Sequence, residues 1–336
     1  MGESSTPFSV EVTSEAWRVD AEAWIGDALT ARGRSVARTE QPRVRPWSTQ
    51  LVVDAEGPAG VERFWFKANC RAQAFEPVLQ SLLAELAPDD VDVPVAADPA
   101  RGWMLTADRG PTMADRHRPR EGDWTRVIGE WAGLQRRLAG RSAEVLAAGV
   151  PDCSPATVPA RFAELLEVVL GLPAEHPASP DPATADALGA AAGRVERAAA
   201  TLASSPMPPA LQHGDLHPGN VFATGADDSL RIFDFGDAQW AHPIEAVLVP
   251  IAVMEHNGLD PASSMAAFRT AWSPIAPDDD DAAWAALVAA AETTHAVNRA
   301  CTWWGCLAQA TDDEMADWGE AVLRHLSRVL GSGNDS

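Results

Sequence analysis

Leu211-Gln212-His213-Gly214-Asp215-Leu216-His217-Pro218-Gly219-Asn220-Val221 is answered a few residues later by Arg231-Ile232-Phe233-Asp234-Phe235-Gly236-Asp237. A carboxylate, an amide five residues on, and a second carboxylate beyond a turn are the groups that magnesium-dependent phosphoryl transfer needs. In that chemistry the protein forms few covalent bonds; it aligns a hydroxyl with a phosphoryl group and neutralises charge. Asp215 would accept the hydroxyl proton, Asn220 would hold one Mg2+ through its carbonyl, and Asp234 would ligate the ions bridging the phosphates. Gly214, Pro218 and Gly219 break helix and strand, which puts Asp215 on a constrained loop. Residues 221–223 read as a short strand, 225–228 as a turn and 230–233 as the returning strand, so a hairpin brings Asn220 and Asp234 to one end. Asp-Phe-Gly alone would fit an ordinary hairpin with solvated Asp residues; the ordered pair of motifs argues for chemistry.

The same residues resemble the catalytic-loop signature of the aminoglycoside phosphotransferase and choline kinase-like family, small-molecule relatives of the protein kinases. His213-Gly214-Asp215, Asn220 and Asp234-Phe235-Gly236 match position by position, and a weaker likeness runs from about residue 40 to 255. The resemblance implies an α+β, two-lobed, protein-kinase-like fold. A small β-rich N-lobe with the hinge would occupy 1–110, and a larger, mainly helical C-lobe with the acceptor site 111–336. It also implies transfer from ATP, or another NTP, with Mg2+, to a hydroxyl of a small molecule: an aminoglycoside or other antibiotic, an amino sugar, or an amino alcohol such as choline. The competing class is a nucleotide-binding pseudokinase with a regulatory role. Such proteins typically lose the base, a metal ligand or the phosphate-binding Lys, and Lys67, Asp215, Asn220 and Asp234 are all present here.

Lys67 is the sole lysine among 26 basic residues. In a chain that otherwise uses Arg, a retained ammonium suggests a site needing a compact point charge, such as a nucleotide phosphate contact; the alternative is a surface Lys with a snorkelling stem. Glu76 opens a helix expected over 76–86 and would pair with Lys67, as the strand Lys and helix Glu do in kinases, with Glu85 as a second choice. Strands over 51–53 and 61–68, turning at Gly57 and Gly60, look like the start of an N-lobe sheet after a helix over 14–31. No G-x-G-x-x-G occurs, so a loop covering the phosphates would use backbone N–H groups and hydroxyls around Ser48 and Thr49. A strand over 103–106 leads into the family's hinge, where the main chain of Thr106 and Asp108 would read adenine.

Beyond the hinge the periodicity is helical, over 124–138, 159–170 and 184–202. Only a few residues separate Asp237 from an apolar helix after Pro243. That leaves no room for the long activation segment with which a protein kinase docks a peptide, so a small acceptor is expected. The family usually carries an Asp early in this helix to support the catalytic loop; here Glu245 stands in its place. Asp278 to Asp281 would cap a helix over 282–310. On that helix Glu292, His295, Arg299 and Trp303 recur at three- and four-residue steps, a stripe that could line the acceptor site, or could pair within the helix with Trp303 in the core. A last helix over 314–330 precedes a short tail.

The net charge of −22 argues against a nucleic-acid partner and permits a cationic substrate. Cys70, Cys153, Cys301 and Cys306 show no metal spacing, and His295 with Cys301 and Cys306 is a poor metal set, so a reduced, cytoplasmic chain is expected. The N-terminus lacks a basic region followed by an apolar run, and the longest apolar run, 246–254, is too short for a bilayer. A monomer is favoured. The 13 Trp residues, with no Tyr, are most simply core packing.

Overall fold

The computed structural model describes residues 6–224, 229–276 and 280–331. The turn expected at 225–228, two of the four expected capping acids (Asp278 and Asp279) and the tail from 332 lie outside the described residues.

After a one-turn helix α1 (Phe8–Val12), α2 (Glu15–Thr30) starts where the Ser14 hydroxyl accepts the Trp17 N–H. Its buried residues Trp17, Ala21, Ile25 and Leu29 recur every four positions, one stripe of the helix. That stripe covers one face of an antiparallel sheet, β1 (Ser35–Val44), β2 (Ser48–Gly57), β3 (Gly60–Asn69), β4 (Ala96–Asp98) and β5 (Trp103–Ala107), ordered β1-β2-β3-β5-β4. Alternation decides which side chains it meets: Leu51, Val53 and Ala55 of β2, and Phe64, Phe66 and Ala68 of β3, all point towards α2. The β2–β3 hairpin closes at Gly57 and Gly60 as the sequence predicts, with Gly60 at φ +111°.

β1 lies before the strand expected at 51–53, in a stretch where no strand is expected from the sequence. Seven of its ten residues are exposed, Arg38, Glu40 and Arg43 among them, Pro42 lies inside it, and its pairing with β2 slips between Glu40 and Arg43. An exposed edge strand has no buried face to impose alternation, and charges, a Pro and a bulge protect such edges from further pairing.

The helix α3 (Glu76–Leu86) agrees with its expected limits. The rest is mainly helical: α4 (Met113–Arg116), α5 (Glu121–Leu138), α6 (Ser142–Ala147), α7 (Val158–Leu170), α8 (Pro182–Ala190), α9 (Ala192–Ala203), α10 (Glu245–His256), α11 (Ala262–Trp272), α12 (Asp281–Leu307), α13 (Asp312–Trp318) and α14 (Glu320–Leu326). Two expected helices are interrupted. The one over 184–202 breaks at Ala191 between Gly189 and Gly193, and the last breaks at Gly319; glycine is a poor helix former. Between α9 and α10 lie the short strands β6 (Ala210–Gln212), β7 (Val221–Thr224), β8 (Ser229–Ile232) and β9 (Gln239–Ala241), paired β6 with β9 and β7 with β8. One core joins Leu79 and Leu83 of α3 to Val127, Trp131 and Leu134 of α5 and to Val221, Leu230, Ile232 and Phe235. The β7–β8 hairpin is thus packed against both the sheet's helix and the helical body.

Candidate active site

Lys67 and Trp65 lie on the face of β3 opposite Phe64 and Phe66, so they point away from α2 into a cleft of about 310 Å³. The Lys67 Nζ stands 2.6 Å from Glu76 Oε2 and 2.5 Å from Asp234 Oδ1, and Asn69 Nδ2 donates to the same Glu76 oxygen at 2.8 Å. Burial opposes the ammonium charge, but Asp234 and Glu76 outweigh it and raise the pKa of Lys67. Burial likewise lifts the pKa of the fully enclosed Glu76 carboxyl against the pull of Lys67. At Asp234, burial is overcome by Lys67 and the pKa is lowered. The exposed Glu85 makes no part of this cluster.

Asp234 adopts φ +68°, the one described non-glycine residue with positive φ. Such a conformation costs on the order of 1–3 kcal/mol and persists only where its surroundings dictate it. On one side Phe233 N donates to Asn220 O at 3.1 Å. On the other, Phe235 is fully buried beside His213, with ring centroids 5.2 Å apart. His213 joins the two motifs: its Nε2 lies 2.9 Å from Phe233 O, and its Nδ1 accepts from Asp215 N at 3.3 Å. Burial lowers its pKa, favouring the neutral ring those two bonds require.

The loop over 213–220 is held from three further sides. Asn220 Nδ2 donates to Asp215 O at 2.9 Å, which fixes the direction of its amide. Arg299 Nη1, reaching from α12, donates to Gly214 O and to Asp237 Oδ2, both at 3.2 Å, while Gln73 Nε2 donates to Asp237 Oδ1 at 2.8 Å. Gly214 sits at φ +81°, and a Cβ there would lie 2.0 Å from Asp237 O, so no other residue fits. The Asp215 side chain is 45% exposed, with its Oδ2 3.6 Å from His217 Nε2. Burial of its surroundings opposes ionisation, but His217, then Arg299 and His213, hold its pKa down to about 2.

Lys67, Glu76 and Asp234 line one cleft together with Thr106 and Asp108, whereas Asp215 and Asn220 are not in its lining and are tied to it through His213 and through the Phe233 N–H bond to Asn220 O. The Asp108 N–H is already bonded to Arg63 O at 3.0 Å, and its carboxylate accepts from Gly110 N at 2.9 Å. Ser48 and Thr49 lie elsewhere. Ser48 is buried opposite Asn69, and the Thr49 hydroxyl, accepting from Gln41 and donating to Arg43 O, closes the β1–β2 pair. In the turn between β1 and β2, Trp47 packs edge-on against Trp303 at 5.4 Å and Trp318 at 5.2 Å.

The polar stripe of α12 does not converge. Glu292 is exposed, Arg299 supports the catalytic loop, and Trp303 belongs to the Trp47–Trp318 aromatic group. Glu245 does not reach the catalytic loop in any described bond. Its two oxygens accept from Thr294 at 2.8 Å and Asn298 at 3.0 Å, anchoring α12. The supporting role falls to Arg299, Asp237 and Gln73. Asp237 follows the Asp-Phe-Gly motif directly, but no periodicity marks Gln73 or Arg299 as its partners.

Among the described residues no cluster of three His, Cys, Asp or Glu side chains could hold a metal by itself. The hard oxygens of Asp234 and Asn220 suit Mg2+, which commonly takes one or two protein oxygens and completes its shell with water and phosphates. No described helix is long and apolar enough to cross a membrane.

Solved structures share this fold. A macrolide 2'-phosphotransferase type I superposes with TM-score 0.59 at 14% identity over 91% of this chain and 96% of that one. A choline/ethanolamine kinase family protein from Mesorhizobium loti gives 0.57 at 14% over 94% and 95%, and a Plasmodium vivax ethanolamine kinase 0.57 at 11% over 84% and 80%. No curated protein matches in sequence. The sequence profile of the phosphotransferase enzyme family matches residues 80–249, half of the chain, from within α3 through both catalytic motifs into α10. With that match over this fold and these motifs, the chain belongs to the phosphotransferase enzyme family.

Proposed function

We propose that the protein is a kinase that transfers the terminal phosphoryl group of ATP, with Mg2+, to a hydroxyl of a small molecule. The observation that carries this reading is the Lys67 ammonium held 2.6 Å from Glu76 and 2.5 Å from Asp234, joining the sheet to the Asp-Phe-Gly motif above the Asp215 loop. Residues 1–110 would hold the nucleotide and 111–336 the acceptor. The base would lie between Trp65, Met104 and Phe222, against the main chain of 106–108. Lys67 would turn from Asp234 to the phosphates, with Glu76 keeping it aimed, and Asp234 and Asn220 would hold Mg2+. Bound there, Mg2+ neutralises charge on the phosphates. Asp215 is too weak a base to ionise an alcohol beforehand, so it orients the hydroxyl and takes its proton late.

The short path from Gly236 through β9 to α10 favours a small acceptor over a peptide. An amino sugar, an amino alcohol or an antibiotic fits the acidic chain, whose net charge is −22. The test is a panel of such acceptors with coupled detection of nucleotide consumption. Acceptor-dependent turnover that needs Mg2+ and fails in Asp215→Asn is expected; equal nucleotide consumption with and without every acceptor would overturn the reading.

A further inference from the structure

Cys70 directly follows β3, three residues beyond Lys67, and Cys306 lies in the last turn of α12. They are 236 positions apart, yet both line one cavity of about 220 Å³ with Arg71, Ala72 and Gly305. The two elements touch closely: a Cβ on Gly305 would stand 3.4 Å from the Ala72 Cβ. Both thiols are free and buried. Cys70 N also donates to Trp47 O at 2.8 Å, so the thiol pair adjoins the β1–β2 turn.

We propose that Cys70 and Cys306 are a peroxide-sensitive pair whose disulfide staples the Lys67 strand to α12. Side by side, the two thiols favour loss of one proton between them over loss of both. Either sulfur can be oxidised first; written for Cys70, its sulfur takes an oxygen from hydrogen peroxide, the S–O bond forms, the O–O bond breaks, and the departing hydroxide carries off the thiol proton as water, leaving a sulfenic acid. The Cys306 sulfur then attacks the Cys70 sulfur. The S–S bond forms, the S–O bond breaks, and the hydroxyl leaves as water with the Cys306 proton. Two thiols and one peroxide give one disulfide and two waters.

The Gln73 side chain of the same turn holds Asp237, so the staple would fix the sheet against the catalytic loop. This consequence rests on the proposed kinase reading, because it assumes that the cleft must open for the product nucleotide to leave. Under a peroxide titration, peptide mapping without reductant should find Cys70 joined to Cys306 with loss of two hydrogens. Cys153, whose thiol burial pushes up to about 12, should stay free. The bond should raise the melting temperature by roughly 5 °C. It should also lower kcat at least fivefold, and dithiothreitol should reverse both. Cys306→Ser should keep its untreated kcat and lose the reversible response. Separate Cys70 and Cys306 peptides at the end of the titration would overturn the pair, in a measurement on wild-type protein that needs no turnover. A joined pair with unchanged kcat would overturn the staple's effect on the cleft. A joined pair in a protein without acceptor-dependent turnover would instead overturn the kinase reading.

Discussion

Asp215 has a pKa near 2, so it is ionised throughout the range in which an enzyme of this kind works. The sign is that of a depressed acid. Its contribution to stability is fully present above the unfolded value of about 3.9 and disappears as pH falls towards 2. No acid limb of kcat between pH 5 and 8 should therefore belong to it. Asp215→Asn should lower kcat by about 10²–10⁴-fold while nucleotide affinity stays near wild type. A limb in that window that is absent from the variant's residual activity, or a variant keeping a tenth of kcat, would contradict this role. Gly214 is as constrained as its neighbour. Gly214→Ala combines positive φ with a Cβ driven against the Asp237 backbone, so the loop must move. A lower melting temperature together with at least a hundredfold loss of kcat is expected, and wild-type turnover would show that the loop relaxes freely. These residues were legible in the sequence because the chemistry needs particular side chains between particular chain breakers. Ser48 was not, because a hydroxyl near a turn carries no record of which way its strand faces.

At the scale of elements, the sequence was most readable where one face is buried. α2, α3, α5 and the β2–β3 hairpin carry apolar residues at the period of their structure. β1 carries none, and helix continuity past Gly189 and Gly319 was overestimated because apolar periodicity survives a break that glycine permits. α12 shows the other limit: its spacing put Glu292, His295, Arg299 and Trp303 on adjoining turns, but helical spacing does not say what each one meets. Arg299 meets the catalytic loop, with its side chain only 10% exposed. Arg299→Ala would leave Asp237 without its cation and Gly214 O without a donor. Breaking such an enclosed pair costs about 3–5 kcal/mol. Calorimetry should show that loss, accompanied by a fall in kcat and by acceptor and nucleotide KM values that move little. A selective rise in acceptor KM without a change in melting temperature would instead return Arg299 to the acceptor wall.

Across the whole molecule, the cluster of Lys67, Glu76 and Asp234 links the sheet to the catalytic hairpin, so what binds there should stabilise both parts together. A ligand that binds only the folded state at about 100 times its Kd adds roughly 2.7 kcal/mol. In a chain of this length that raises the melting temperature by about 5 °C. ADP with Mg2+ should give a shift of that order, and chelation should remove most of it. Asp234→Asn is the informative variant. Asn tolerates the positive φ at this position nearly as well as Asp, so the backbone that Phe233 and Phe235 hold in place can persist. Glu76 still faces Lys67, so the ammonium is not left unpaired. The ligand-free melting temperature should accordingly change by only a few degrees, whereas the carboxylate that would hold Mg2+ is gone. The expected result is a Mg2+ half-saturation for the ADP-induced shift at least tenfold higher than in wild type, with the shift in ADP alone retained through Lys67. An unchanged Mg2+ half-saturation would mean that Asp234 serves the fold as the partner of Lys67 and that the metal is held by other groups.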